Sequence, residues 1–332
     1  MREVADDPDQ LPAGRIVGPP PGATGADWLD WRQRGIGASE AAAVLGLSSW
    51  GSPWTVWLAK TGQTSPRMPS RAMKWGSRLE AAIVDAFGEE TGAEVTHRQA
   101  WVEWRTRPEL RATLDGIATR DGTRGVLEVK TTNGRDGAWD DGVPVSVQLQ
   151  VQHQMIVTGL PVAWVACLSG GQDFAEYELE ADSAVQSAMA EIELRFWREH
   201  VRRMEPPPVD SSEPTGLALR AFYPEARAGS VDLPTEAASV IEELQEVKDQ
   251  IRAAKAREVA LDNLLMGWLG EHDTGTLGGR PAVTWRPTVT RRVDLNALRK
   301  ELPDVAERYT LESRSRTLRL VGKRQWRDSD GG

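Results

Sequence analysis

The stretch "GVLEVKTT", residues 125–132, places a carboxylate and an ammonium group two positions apart inside an apolar run. The valine and leucine side chains around this pair are typical of a largely buried strand. Side chains alternate between the two faces of a strand, so Glu128 and Lys130 should point to the same side. The sequence therefore predicts a buried strand with an acid and a base together on one face.

A second carboxylate can reach this pair through a hairpin. Asp115 stands thirteen residues before Glu128, at the end of the preceding strand candidate, and the turn pair Asp121-Gly122 lies between them. Gly116, the next residue, would permit a ligand to approach closely. Two carboxylates at the mouth of a sheet offer the oxygen ligands that Mg²⁺ prefers, and Lys130 can stabilise charge on a phosphate or on water. Glu80, opposite the apolar face of a predicted helix, is a third candidate. An ordinary charge pair on a solvated sheet face would give the same pattern.

Composition limits the remaining classes. The chain has 332 residues and a formal net charge of −9, which argues against a protein that coats nucleic acid but allows an enzyme with a local basic groove. The single cysteine, Cys167, excludes an intramolecular disulfide and a four-cysteine cluster. No apolar run reaches the length of a membrane span, and the N-terminus lacks the apolar core of a signal peptide. A cytoplasmic location is the expectation.

Hydrophobic periodicity predicts an α/β layered domain. Short helices, with Asp27 as a possible cap of the first and Ser52 and Pro53 at the start of the third, precede an amphipathic helix that ends at Gly92. Strands over 94–104, 110–120 and 124–132 follow, and then a helix from Pro144 to Gly159, two strands and a long helix. The predicted boundaries are a disordered leader at 1–26, the α/β domain at 27–205, a Pro-rich linker at 206–232 and a C-terminal appendage at 233–332. In the appendage, apolar residues recur at alternating four- and three-residue steps, which predicts a coiled-coil-like helix followed by a small α+β segment.

The motif residues resemble those of known nucleases. Asp115, Glu128 and Lys130, with the upstream helical Glu80, resemble the PD-(D/E)xK superfamily, although Leu114 stands where the proline of that motif would be. Four blocks in order resemble the YqaJ-type viral recombinase, or lambda exonuclease-like, family: "WRQRGIGASEAAAVLGLSSWGSPWTVWLAKTG", "WGSRLEAAIVDAFGEETG", "TLDGIATRDGTRGVLEVKTT" and "VQLQVQHQMIVTG". The resemblance covers residues 27 to about 180 and implies a restriction-endonuclease-like core with a central mixed sheet flanked by helices.

This resemblance implies a metal-dependent active site. Asp115, Glu128 and the backbone carbonyl of Val129 would bind Mg²⁺, for which Mn²⁺ can substitute. Glu80 would either contact a metal directly or hold one of the residues that bind it. Lys130 would orient and activate the attacking water.

The resemblance also implies a pocket for the 5′-terminal phosphate of DNA. Arg32 and Ser39, seven residues apart, match the pair that holds this phosphate in the family. Thr113 matches a hydroxyl residue of the same pocket, and Gln152 matches a phosphate- or water-contacting glutamine of the following helix. A guanidinium grips phosphate in a bidentate manner, and a serine at a helix N-terminus adds donors, so the residue types suit the task.

Several alternatives stay open at this point. Arg34 lies close enough to replace Arg32, and Ser39 can be a simple helix cap. Of the glutamines on the predicted helix, Gln148 shares a face with Gln152, whereas Gln150 shares a face with Gln154. His153 is expected to pack rather than to act as a base. Trp50, Trp54 and Trp57 are expected in the core, although one can stack on a terminal base.

The resemblance implies a Mg²⁺-dependent exodeoxyribonuclease that degrades one strand of linear duplex DNA from the 5′ end. It would release mononucleotides and leave 3′ overhangs for recombination by strand annealing in a phage or prophage setting. The implied partners are double-stranded DNA ends, a single-strand annealing protein and further copies of the chain, as a trimer. The alternatives are an endonuclease or Cas4-like end processor on the same fold, and a non-catalytic module that binds DNA ends.

Overall fold

The computed structural model describes residues 10–20, 22–64, 70–134, 137–312 and 315–321. The chain forms two compact units, Met1–Tyr223 and Pro224–Gly332. In these residues no helix combines the length and the apolar character that a membrane span requires.

The first unit alternates helices and strands as the sequence predicts. Its elements in chain order are β1 (Gly14–Gly18), α1 (Gly25–Gln33), β2 (Ile36–Gly37), a 3₁₀ turn (Ala38–Glu40), α2 (Ala41–Val44), α3 (Pro53–Lys60), α4 (Arg71–Thr91), β3 (Glu94–Thr96), β4 (Ala100–Trp104), β5 (Leu110–Leu114), β6 (Gly116–Arg120), β7 (Thr123–Thr132), α5 (Val145–Thr158), β8 (Val162–Ser169), β9 (Asp173–Glu180), α6 (Ser183–Phe196) with a π-helical extension (Trp197–Val201), and α7 (Glu213–Phe222).

The strands of the first unit form two mixed sheets within the described residues. The smaller sheet has the order β1-β4-β5-β2, and the larger has the order β3-β6-β7-β8-β9. The pairs β2–β5 and β7–β8 are parallel, and the others are antiparallel. The α/β class with mixed sheets flanked by helices is therefore confirmed.

Asp115 separates two strands that the sequence reads as one. The predicted strand over 110–120 bends at this residue, so that β5 joins the smaller sheet and β6 joins the larger. The predicted strand over 94–104 divides in the same way into β3 and β4. Periodicity alone does not show these transfers between sheets, because both halves keep an apolar composition.

The turn at Asp121-Gly122 forms as predicted. Arg120 pairs with Thr123, and the register runs back to Gly116 opposite Leu127. Both turn residues have positive φ, 49° for Asp121 and 79° for Gly122, which is the geometry of a two-residue hairpin. The hairpin therefore fixes the position of Asp115 one step beyond the last pair.

Helices cover the two faces of the larger sheet. Leu127 packs with Ile83, Val84 and Phe87 of α4, whereas Val126 belongs to the main core together with apolar residues of α5. Because neighbouring strand residues point to opposite faces, α4 and α5 lie on opposite sides of β7. Glu128 and Lys130 share the face of Val126 and point toward α5.

Local capping signals placed most helix ends correctly. Ser52 caps α3 with Pro53 at its first position, and Gly92 and Gly159 end α4 and α5 in the left-handed conformation. The predicted cap at Asp27 is wrong. Thr24 caps α1, and Asp27 is the third residue of its capping box.

The predicted disordered leader and the predicted linker both contain helices or strands. Within the leader at 1–26, β1 pairs with β4, and Leu11 is buried in the core. Within the linker at 206–232, Ser212 caps α7, and Phe222 at its end packs on Trp54 and Trp57. Proline and glycine suggested flexibility in both segments, but a few apolar residues in each are enough to dock them. Residues 1–9 and 21 of the leader lie outside the described residues.

The second unit contains the predicted long helix. Its elements are α8 (Ala237–Leu269), the hairpin strands β10 (Thr274–Leu277) and β11 (Arg280–Thr284), α9 (Leu295–Glu301) and α10 (Pro303–Arg308). The long helix and the short helix near residue 295 agree with the sequence-based expectation.

Candidate active site

Glu128 and Lys130 meet on the face of β7 that points toward α5, as the alternation of side chains predicts. The Lys130 ammonium donates to Oε1 of Glu128, and the Glu128 side chain is almost completely buried. The ammonium also donates to Gln150 Oε1 at 3.0 Å. This pair is therefore part of a buried polar cluster rather than a charge pair on a solvated face.

Two glutamines of α5 orient the Glu128 carboxylate. Gln150 Nε2 donates to Oε1 at 2.6 Å, and Gln154 Nε2 donates to Oε2 at 2.6 Å. These glutamines are four residues apart and share a helix face. Each carboxylate oxygen of Glu128 is thus held by a donor from α5.

Gln152, predicted to contact the phosphate or the water, points away from the polar groups around Glu128 and Arg32. Its Nε2 donates to the backbone oxygen of Glu180 at 2.7 Å, and its Oε1 accepts from the backbone nitrogen of Asp182 at 3.1 Å and from Gln186. Gln152 lies about 200° around the helix from Gln150, so it faces the junction of β9 and α6 instead. The sequence identified the two pairs of glutamines that share a helix face, but not which pair faces β7.

Asp115 joins the cluster from the bend between the sheets. Its Oδ2 accepts a hydrogen bond of 2.7 Å from the backbone nitrogen of Val129, the residue between Glu128 and Lys130. Pairing between β6 and β7 ends at Gly116, so the Asp115 side chain satisfies the next backbone donor of β7. Asp115 therefore contacts the backbone of β7 between Glu128 and Lys130, whereas the sharing of one ion site by the three side chains stays a prediction.

Gly116 has a different role from the one its sequence suggests. A Cβ atom at this position would lie 2.7 Å from Cγ1 of Val95. The glycine therefore permits close packing of β6 against β3, whereas the sequence suggested that it leaves space for a ligand.

Glu80 approaches the cluster from α4. Its Oε1 accepts from Gln99, whose backbone has a φ of 59°. Burial raises the pKa of Glu80, the hydrogen bond from Gln99 opposes this, and the negative charge of Glu128 raises it further. Glu80 is therefore electrostatically coupled to Glu128, but its hydrogen bond is with Gln99, outside the cluster.

Negative charge accumulates around Asp115. Burial raises the pKa of Asp115 well above its ordinary value, and the carboxylates of Glu128 and Glu80 raise it further. Burial alone would lower the pKa of Lys130, but Glu128 and Asp115 raise it above the ordinary value of lysine. Lys130 therefore carries its proton at neutral pH, while Asp115 lacks a cation that fully compensates its charge.

The donor chemistry of the site suits a hard divalent cation, but the ligands are not preassembled. Asp115 and Glu128 supply carboxylate oxygens, which Mg²⁺ prefers. Within the described residues, no three His, Cys, Asp or Glu side chains are grouped so that they could hold a metal ion. Lys130, Gln150 and Gln154 also donate hydrogen bonds to the two carboxylate oxygens of Glu128. Metal binding by Asp115, Glu128, Val129 and Glu80 stays a prediction.

Arg32 and Ser39 meet in a second polar group. Arg32 Nη2 donates to Ser39 Oγ at 3.2 Å and to Glu40 Oε1 at 3.1 Å, and its guanidinium lies over the Trp28 ring at 5.1 Å. Arg34 instead pairs with Asp30 on an exposed helix surface. The structure therefore selects Arg32 over Arg34 as the partner of Ser39.

A buried ion pair supports this second group. Lys60 Nζ lies 2.7 Å from Glu40 Oε2 and donates to the backbone oxygen of Arg32 at 2.8 Å. Burial would raise the pKa of Glu40, but Lys60 and Arg32 lower it below its ordinary value. Sequence reasoning missed Glu40 and Lys60, whose separation by 20 positions gives no local signal.

Thr113 connects the two polar groups. Its hydroxyl accepts from Trp28 Nε1 at 3.0 Å, and its backbone oxygen accepts from Gln154 Nε2 at 3.4 Å. A continuous path of contacts thus runs from Arg32 through Trp28, Thr113 and Gln154 to Glu128.

One tryptophan lies at the edge of the Ser39 pocket. Trp54 and Trp57 are buried as predicted, but Trp50 is 85% exposed. It lines a cleft of about 230 Å³ together with Ser39, Glu40 and Gly51. Of the three tryptophans, Trp50 alone presents an open ring face beside the Arg32 and Ser39 group.

His153 packs in the core, as expected. Its Nδ1 lies 2.9 and 3.0 Å from the two carboxylate oxygens of Glu193, and its Nε2 lies 3.1 Å from the backbone oxygen of Arg111. Both side chains are fully buried. This pair joins α5 to α6 and is separate from the acidic cluster.

Comparison with known proteins identifies the family. A model described as the YqaJ-like viral recombinase domain matches residues 27–161. The uncharacterized protein YqaJ of Bacillus subtilis strain 168 is 30% identical over 296 residues, which cover 87% of this chain and 92% of that protein. The chain belongs to the YqaJ family. Because 87% of the chain is covered, the similarity to the Bacillus YqaJ protein extends into the second unit.

Solved structures provide further likenesses to this YqaJ-family chain. An alkaline exonuclease from Laribacter hongkongensis, LHK-Exo, is 20% identical with a TM-score of 0.46, and the match covers 54% of this chain and 94% of LHK-Exo. A phage-related exonuclease from Haemophilus somnus 129PT is 9% identical with a TM-score of 0.36, and the match covers 51% and 96% of the two chains. Membership of the YqaJ-like viral recombinase family supports a nuclease.

Proposed function

We propose that this YqaJ-family protein is a Mg²⁺-dependent 5′-to-3′ exodeoxyribonuclease that acts on the ends of linear double-stranded DNA. The path of contacts from Arg32 to Glu128 is the observation that carries the proposal. It joins a group suited to a terminal phosphate with a group suited to hydrolysis of a phosphodiester. The product would be a duplex with 3′ overhangs for an annealing protein to use in recombination.

Asp115, Glu128 and the backbone carbonyl of Val129 would hold the metal ion. In a β-strand the backbone N–H and C=O of one residue point to the same side of the strand. The N–H of Val129 donates to Asp115, so the carbonyl of Val129 points to the side where Asp115 lies. Gln154 Oε1 is buried without a hydrogen-bond partner among the described residues, which leaves an acceptor for water beside Glu128. Bound Mg²⁺ would supply charge neutralisation and activation of water.

The side chains around the metal ligands would divide the remaining tasks. Lys130 is protonated at neutral pH, so its ammonium would orient water and stabilise the negative charge that develops on the phosphate. Gln150 and Gln154 would hold the Glu128 carboxylate in one orientation. The negative charge of Glu80 would add to that of Asp115 and Glu128 and so strengthen the attraction of the site for a cation.

The group around Arg32 would bind the 5′-terminal phosphate. The Arg32 guanidinium and the Ser39 hydroxyl supply donors, and Trp28 fixes the guanidinium plane by stacking. Trp50 offers an exposed ring for a terminal base. Such a pocket would give the enzyme its requirement for an end and its direction of digestion.

The first experiment compares linear and circular DNA. We expect a linear duplex with 5′-phosphates to be digested in Mg²⁺ to a product that retains its 3′-terminated strands, while covalently closed circles stay intact. Chelation with EDTA should abolish digestion, because the carboxylates alone cannot neutralise the phosphate. Nicking of the circles would support the endonuclease alternative, and binding of ends without digestion would support the non-catalytic alternative.

The phosphate pocket makes a separate prediction. Wild type should prefer a 5′-phosphate over a 5′-hydroxyl, and Arg32→Ala should reduce that preference by about 10- to 100-fold, which corresponds to the loss of charged hydrogen bonds. The measurement is kcat/KM on the two linear substrates. Arg34→Ala is the matched control, because Arg34 pairs with Asp30 outside the pocket. An equal change of preference in both variants would contradict the assignment of Arg32.

A further inference from the structure

The helix α8 exposes an apolar surface along its length. Residues at alternating four- and three-residue steps form this surface, which we call the α8 stripe: Val240, Leu244, Val247, Ile251, Ala254, Leu261, Leu265 and Trp268. Ile251 is 61% exposed and Trp268 is 77% exposed. Alternating steps of this kind place side chains at the a and d positions of a coiled coil.

A helix of this kind requires a packing surface. α8 has 33 residues, and helices in water gain most of their stability from the burial of an apolar face. The ion pairs within α8, such as Arg252–Asp249 at 2.9 Å, are exposed and stabilise a helix weakly. The C-terminal Leu269 is buried, but the stripe before it is open to solvent over most of its length.

Charges beside the stripe specify an orientation. In the heptad, the residue before each a position is a g position, and the residue after each d position is an e position. In a parallel, in-register pair, each g residue faces the e residue five positions later on the other helix. In α8, Glu243 would face Lys248 of a second copy, and Arg257 would face Asp262 of a second copy. Both combinations have opposite charge, and Gln250 would meet Lys255 without repulsion.

The antiparallel arrangement is less complementary. There e positions face e positions, so alignments that overlap the whole stripe bring Lys255 either against Lys248, or against Lys255 with Lys248 opposite Asp262. In the parallel, in-register pair Glu258, which interrupts the stripe at an a position, would face Glu258 of the other copy, and Arg257 of that copy would lie beside it and offset the repulsion.

We propose that α8 forms a parallel, in-register coiled coil with α8 of a second copy of this chain. The occupant of the stripe is thus another copy, selected by the charges at 243, 248, 257 and 262. This interface is separate from the proposed nuclease activity and can be tested without DNA.

The first test measures the mass of the full chain by analytical ultracentrifugation over a concentration series. Wild type should self-associate, and Ile251→Asp should weaken the association on the order of 100-fold, since it would bury an unpaired charge in the stripe. Val259→Asp is the matched control, because Val259 is 51% exposed on the same helix but lies outside the stripe. A monomeric wild type, or equal weakening by both variants, would overturn the proposal.

Charge reversal tests the orientation with substitutions that keep the helix intact. Glu243→Lys should weaken self-association by about 10-fold, because it opposes Lys248 of the other copy in both symmetry-related contacts of the pair. Adding Lys248→Glu should restore the wild-type association constant. If the double variant associates no better than the single variant, the parallel register is wrong.

Discussion

Asp115→Asn should lower the rate of DNA digestion at least about a thousandfold, because the substitution removes a proposed metal ligand at the reacting phosphate. The asparagine keeps an acceptor for the backbone nitrogen of Val129, so the bend between the two sheets should persist. The measurement is the single-turnover rate on linear duplex at saturating enzyme. Asp121→Asn is the matched control, since Asp121 lies in the exposed hairpin turn and asparagine tolerates its positive φ.

The same substitution should stabilise the metal-free protein by a few degrees in Tm. The folded state raises the pKa of Asp115 above its ordinary value, so ionisation of this carboxyl opposes folding. The resulting loss of stability begins as the pH rises through the ordinary pKa of 3.8 and is complete above the folded pKa. In wild type, Mg²⁺ should raise Tm by relieving the repulsion, and Asp115→Asn should reduce that gain.

Two outcomes would contradict this account. Full activity of Asp115→Asn would remove the residue from the catalytic site. A lower Tm for Asp115→Asn than for Asp121→Asn would show that the carboxylate stabilises the fold. Calorimetry with and without Mg²⁺ therefore separates the role of Asp115 in charge accumulation from a role in the structure of the bend.

Glu193→Gln should destabilise the first unit by about 2–4 kcal/mol, because it leaves His153 in the core without its charged partner. For a unit of this size, the corresponding decrease in Tm is roughly 5–10 °C. Chemical denaturation monitored by tryptophan fluorescence measures the free energy of unfolding. Glu191→Gln on the exposed side of α6 is the control, and its stability should equal that of wild type.

The contribution of this pair should depend on pH in a defined direction. Burial alone would lower the pKa of His153, but Glu193 raises it above the ordinary value of 6.5. A raised folded pKa means that the stabilisation is fully present below pH 6.5 and is lost as the pH rises through the folded pKa. The difference in stability between wild type and Glu193→Gln should therefore shrink toward alkaline pH. A difference that grows above neutral pH would reject the charged pair.

Local patterns predicted the parts of the site that lie within one element. The alternation along β7 placed Glu128 beside Lys130, and the Asp121-Gly122 turn set the distance back to Asp115. Capping residues gave the ends of α3, α4 and α5. These features depend on backbone geometry over a few residues, which the sequence specifies directly.

Features that depend on how elements pack were harder to predict. The rotation of α5 about its axis decides that Gln154 rather than Gln152 reaches Glu128, and that rotation results from the whole apolar surface of the helix. The buried pair of Glu40 and Lys60 joins segments that have no pattern in common. The pairing of β1 with β4 likewise depends on partners about 90 positions apart.

The bend at Asp115 has a consequence for the size of the product. Thr113 contacts Trp28, whose ring packs on Arg32 of the proposed phosphate pocket, and Asp115 contacts the acidic cluster, so the two groups meet this chain segment two residues apart. If the proposed activity holds, this close spacing along the chain would favour removal of a single nucleotide at each step over release of a longer fragment.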